Sequence, residues 1–93
     1  MNDTPATVYR VRTDRVAWRT AGDEGVLLDL EQAVYFGLGP SAALLWPHLV
    51  DGATAEELTR ALVERAPVDE ERAAADVSRF LSELEAAELV DRS

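Results

Sequence analysis

The dipeptide Gly39-Pro40 divides this chain of 93 residues into two halves with different local grammar. Before it, β-branched and aromatic residues cluster in short runs bounded by Gly and Asp, as strands do. After it, Ala, Leu and Glu dominate; Gly39 suits a helix N-cap and Pro40 the first helical position, where its missing N–H costs nothing. Strands first and helices second imply an α+β fold, with helices packed on an antiparallel sheet. A chain of this length buries roughly 60 to 65% of the surface its unfolded form exposes, enough for one core. The expected organisation is a flexible N-terminal arm over residues 1–7 and a single domain over residues 8–93.

Three runs read as strands. In Val16-Ala17-Trp18-Arg19-Thr20, alternation puts Val16, Trp18 and Thr20 on one face, and Val8–Arg12 reads as an upstream prolongation of it. Ala21-Gly22-Asp23-Glu24-Gly25 has the composition of a hairpin connection. The second strand is Val26–Leu30, a tight polar turn falls near Glu31-Gln32, and the third strand is Ala33–Leu38. Such short connections imply an antiparallel meander.

Ala42–Trp46 opens the first helix, and Asp51-Gly52 closes it. Pro47 cannot donate to the Ala43 carbonyl, which predicts a kink or an early stop. Thr54-Ala55-Glu56-Glu57 is a capping box for a second helix, which carries Leu58, Ala61 and Leu62 at helical spacing and stops before Pro67. Asp69 caps a third helix with one apolar stripe of Ala73, Val77, Phe80, Leu81 and Leu84, flanked by Arg72, Asp76, Arg79 and Glu83. The predicted order is a three-stranded antiparallel sheet followed by three helices, β-β-β-α-α-α, a winged-helix-like arrangement.

Charge narrows the function. Eighteen acidic residues face nine basic ones, all Arg, for a net charge of −9. Four Arg and two Asp leave the first nineteen residues positive, so the acidity belongs to the rest of the chain. Phosphate recognition needs clustered cations, which argues against nucleic acid and anionic membranes as partners. The third-helix region 69–91 has eight acids against two Arg, the wrong sign for the recognition helix of a DNA-binding winged helix. An acyl-carrier protein would need Ser preceded by Asp at a helix start, whereas Ser41 follows Pro40. With no Cys and one His, there is no thiolate zinc site, iron–sulfur cluster, cysteine nucleophile or His cluster, and no cofactor or metal is implied. No carboxylate pair separates itself from an ordinary charged helix face, and Gly37-Leu38-Gly39-Pro40 lacks the Lys of a phosphate-binding loop. The expectation is a protein without catalytic residues. No run has the length of a signal peptide or membrane span, and a cytoplasmic location follows as an expectation.

One strand breaks the rule for a one-sided sheet. Val34, Tyr35 and Phe36 are consecutive, so bulky apolar groups lie on both faces, where a sheet with one solvated face would alternate with polar residues. Either the N-terminal arm or a helix covers the second face, or the strand is an edge beside a groove that accepts an extended peptide. In the third helix Val77, Leu81 and Leu84 read as core and Phe80 as core or groove wall, while Asp76, Arg79 and Glu83 form a charged rim.

The run VLLDLEQAVYFGLGPSAALLWPHLVDGATAEELTRAL followed by AAADVSRFLSELEAAELV resembles the PqqD-like family of peptide-recognition domains over about residues 8–92. The resemblance rests on Val34-Tyr35-Phe36-Gly37-Leu38 leading into Pro40-Ser41-Ala42-Ala43, on Asp51-Gly52, and on Asp76-Val77-x-x-Phe80-Leu81-x-x-Leu84. Among subfamilies the chain looks most like the freestanding leader-binding protein of lasso-peptide systems. The resemblance implies that the leader of a ribosomally made precursor peptide adds as an antiparallel strand to the third strand, against the third helix. Residues Ala33 to Leu38 would supply the edge, and Val77, Phe80, Leu81 and Leu84 the pocket. Asp76, Arg79 and Glu83 would be polar contacts. In lasso systems the leader anchors are typically a Tyr and a Pro three apart. The implied partners are the leader, a separate leader peptidase of the cysteine-protease type, and a cyclase. A peptide chaperone for a radical-SAM or other modifying enzyme, or a small structural subunit, are the other readings.

Overall fold

The computed structural model describes residues 6–93, so most of the expected N-terminal arm lies outside the described residues. Strands β1 (Val8–Val11), β2 (Val16–Ala21), β3 (Glu24–Asp29) and β4 (Val34–Leu38) precede α1 (Pro40–Asp51). Strand β5 (Ala53–Thr54), α2 (Ala55–Arg65), α3 (Glu70–Ala86) and β6 (Val90–Arg92) complete the chain. The α+β class and the order of the three main strands and three helices agree with the sequence reading, and the meander is β2-β3-β4, antiparallel throughout.

The register is set locally. Ala21 pairs with Glu24 across a two-residue turn, and Gly22 supplies the positive φ (61°) that a tight hairpin of this hand requires. The connection from β3 to β4 is longer. Asp29 pairs with Val34, its Oδ1 accepts from the amides of Glu31 (3.0 Å) and Gln32 (3.2 Å), and Ala33 turns the chain with φ 57°. Ala33 is therefore a left-handed turn residue and not the first residue of the strand, a correction to the predicted boundary.

One expectation fails for a long-range reason, and so does one half of another. Val8–Val11 does not prolong β2. It leaves the meander and forms a second antiparallel sheet, β5-β1-β6, pairing Val8 with Thr54 and Tyr9 with Arg92. Of the two outcomes expected at Pro47, the early stop is not observed: helix α1 runs on through Pro47 to Asp51. Ala43, Leu45, Trp46 and Leu49 are all buried on either side of Pro47, so packing holds the helix across the missing hydrogen bond.

Both predicted helix starts after α1 are capped as expected. Thr54 and Glu57 exchange the two capping-box hydrogen bonds (3.1 and 2.9 Å), and Asp69 accepts from the Arg72 amide at 2.8 Å. One core joins the pieces: Val16 and Leu27 from the meander, Leu45, Trp46 and Leu49 from α1, Leu58 and Leu62 from α2, Val77 and Leu81 from α3, and Leu89 and Val90 at the end of the chain. Trp18 of β2 meets Trp46 edge to face, with centroids 5.7 Å apart and planes at 70°.

Candidate functional site

The meander has an unpaired edge. Among the described residues β4 pairs with β3 alone, so one side of its backbone is free. The pair that closes the two-residue turn, Ala21 and Glu24, is hydrogen-bonded, and antiparallel pairs alternate from there. By that alternation Val26 and Leu28 bond to β2, while Gly25, Leu27 and Asp29 bond to their β4 partners Leu38, Phe36 and Val34. The remaining two residues, Tyr35 and Gly37, point their N–H and C=O groups out from the edge.

Side chains at this edge are uncovered on both faces. Val34 and Phe36 share the face that carries Leu27 and Leu38 into the core, yet remain 40% and 37% exposed; Tyr35, on the opposite face, is 69% exposed. Neither the described part of the N-terminal arm nor a helix covers the strand. Among the described residues the β4 edge is thus exposed.

Strand β4 passes through Gly39 directly into α1, and there a groove of about 310 Å³ opens between the start of α1 and α3. Its walls are Gly39, Pro40, Ser41 and Ala42 on one side and Asp76, Arg79, Phe80 and Glu83 on the other, over Leu45 and Leu62. The helical spacing of the four α3 residues puts them on one flank, and Phe80 is the half-buried apolar member. Asp76 sits between two guanidinium groups, Arg79 at 3.0 Å and Arg72 at 3.5 Å, so its charge is largely answered within the helix. Arg79 itself is exposed.

The structure thus brings Asp76, Arg79, Phe80 and Glu83 together in the groove that opens at Gly39, where the edge strand Val34–Leu38 runs into α1. It does not bring the rest of the α3 set there. Val77, Leu81 and Leu84 are 1%, 3% and 5% exposed, belong to the core and do not line this groove. Leu81 also borders a separate groove of about 820 Å³ between α2 and α3, on the other flank of α3. Sequence reasoning missed Ser41, Leu45 and Leu62 as groove residues. The adjacency of the strand end to Gly39-Pro40 was the available signal, since a helix that starts one residue after an edge strand sets its first turn against that edge. Among the described residues no group of His, Asp and Glu side chains has the arrangement of a metal site, and no helix is long and apolar enough to cross a membrane.

A solved structure described as TbiB1 in complex with the TbiA(beta) leader peptide matches with a TM-score of 0.78 and 32% sequence identity, over 88% of this chain and 94% of that one. No curated protein matches the chain. The family profile of coenzyme PQQ synthesis protein D matches residues 24–90, which takes in β3, β4, the three helices and both sides of the groove. On the strength of that match, the chain belongs to the PqqD family.

Proposed function

We propose that this protein binds the leader region of a ribosomally made precursor peptide as an additional antiparallel strand on β4, with leader side chains seated in the groove between α1 and α3. The observation that carries the reading is the uncovered β4 edge, with the outward backbone groups of Tyr35 and Gly37, which runs through Gly39 into the groove holding Phe80. Main-chain hydrogen bonds give sequence-tolerant affinity, and the groove gives choice. A similar protein in complex with a leader peptide supports the leader as the ligand. Two apolar anchors at about 1.5 to 3 kcal/mol each offset much of the ordering cost of a disordered leader. The protein performs no chemistry itself and presents the leader, in the cytoplasm, to a separate leader peptidase and a cyclase of a lasso-peptide pathway.

The test is fluorescence polarisation with a labelled leader from the precursor gene beside this one. Phe80→Ala and Val34→Asp are each expected to weaken binding by about tenfold or more, about 1.4 kcal/mol. Unchanged affinity in both variants would refute the groove and edge assignment.

A further inference from the structure

Strand addition to β4 puts alternate side chains of the added peptide on opposite faces of the sheet, one set toward the groove and the other outward. The outward face next to the edge is unusual for its missing side chain. Gly37 pairs with Val26 there, and Tyr35 pairs with Leu28. Gly37 has no positive φ, and a Cβ built on it meets nothing within 4 Å, so neither a turn nor close packing in the free protein calls for glycine. A glycine inside a strand weakens it and often marks a place where a ligand approaches closely. Val26 behind it is 39% exposed, and Tyr35 beside it is the most exposed large apolar residue described.

We propose that the bare position at Gly37, backed by Val26 and flanked by Tyr35, is a second subsite for the same peptide, taking one aromatic or long apolar side chain. The proposal rests on the strand-addition reading and goes beyond it by having the peptide read on both faces of the sheet. Continuity of the sheet selects the occupant. A peptide residue directly opposite Gly37 shares its face, and opposed Cβ positions lie about 4.5 to 5.5 Å apart. The next strand is about 4.8 Å further on, so a ring leaning across the missing side chain reaches Val26, whereas Ala does not. An aromatic side chain covering a glycine on a neighbouring strand is a known way of repairing that weakness. The two side chains next to Gly37, Val26 and Tyr35, are apolar, so a short charged side chain gains nothing from them; Arg19, the partner of Val26 on β2, lies one strand further away.

The test is selection of a display library of random linear peptides on the wild-type protein and on Gly37→Val and Val26→Ser. The first variant fills the gap with a good strand former, the second removes the apolar backing, and thermal melting verifies that both fold. Peptides selected on wild type are expected to carry an aromatic or long apolar residue at one fixed position beyond the groove anchors. Replacing that residue by Ala should cost about tenfold in affinity on wild type and less than about twofold on either variant. If the selected peptides lack such a preference, or keep it undiminished on both variants, the subsite is refuted while strand addition stands. If their binding ignores backbone N-methylation at every position, or no peptide is selected, strand addition fails and the subsite with it. A protein surface that competes for Val26 and Tyr35 without displacing the peptide would assign this face to another partner and overturn the proposal.

Discussion

Asp29 has an importance that its place at the end of a strand does not suggest. Its side chain is buried, and Oδ1 accepts from the Glu31 and Gln32 amides and, at 3.4 Å, from Nε of the equally buried Arg15. Burial pushes the carboxyl up, but the hydrogen bonds from Gln32, Glu31 and Arg15 outweigh it and hold the group below its ordinary value. A carboxylate depressed in the folded state contributes stability above its unfolded pKa, and that contribution disappears as pH falls through the folded value. Asp29→Asn keeps an acceptor for the turn and removes the charge. We expect its melting temperature to lie below wild type at neutral pH, with the gap closing as pH falls below about 4, the unfolded aspartate value. A gap independent of pH in thermal melts would contradict this. The turn concerned is the one that delivers Ala33 at positive φ and starts β4, so the residue bears on the edge as well as on stability.

At the scale of elements, the alternation in β4 gives a sharp contrast. Proline is tolerated at an edge position whose N–H faces solvent and not where the N–H bonds the neighbouring strand. Tyr35→Pro is therefore expected to fold and to lose leader affinity beyond the loss in Tyr35→Ala, whereas Phe36→Pro should lower the melting temperature. Equal stability of the two proline variants would mean that the outward groups are misassigned. In α1, Pro47→Ala restores a helical donor and should raise stability by about 1 to 3 kcal/mol in denaturant melts. These elements also differ in how readable they were. The capping box at Thr54, the cap at Asp69 and the Gly39-Pro40 start are local chemistry, visible within four residues. The second sheet was not visible, because β5 has two residues and β6 three, and their partners lie more than forty residues away. The stripe on α3 was legible as a stripe, but Phe80 separates from Val77 and Leu81 only once α1 and α2 occupy one side of it. That Pro47 does not stop α1 follows from the packing of Trp46 and Leu49, which lies outside local propensity.

Across the whole molecule, the net charge of −9 opposes compaction, while the ion pairs that the structure adds are mostly at the surface, as between Arg79 and Asp76. Self-repulsion should therefore dominate the salt response. Raising ionic strength to about 1 M, where the screening length is about 3 Å, is expected to raise the melting temperature by calorimetry; a fall would mean that the pairs outweigh the repulsion. The buried exception is Arg15 with Asp29, whereas exposed Arg92 bonds Glu85 (Nη2 to Oε1 at 3.1 Å) and lies 5.8 Å from the centre of the Tyr9 ring, so that β6 is held to both α3 and β1. The edge-to-face tryptophans make the assembly optically visible. Two indoles 5.7 Å apart and inclined at 70° couple their excited states, and one belongs to the meander that carries the open edge, the other to the helix that walls the groove. Far-ultraviolet circular dichroism, where the intense indole transition lies, should therefore carry a couplet in the unlabelled protein, absent in Trp18→Phe, that reads the seating of the sheet on α1 directly as peptide is titrated in.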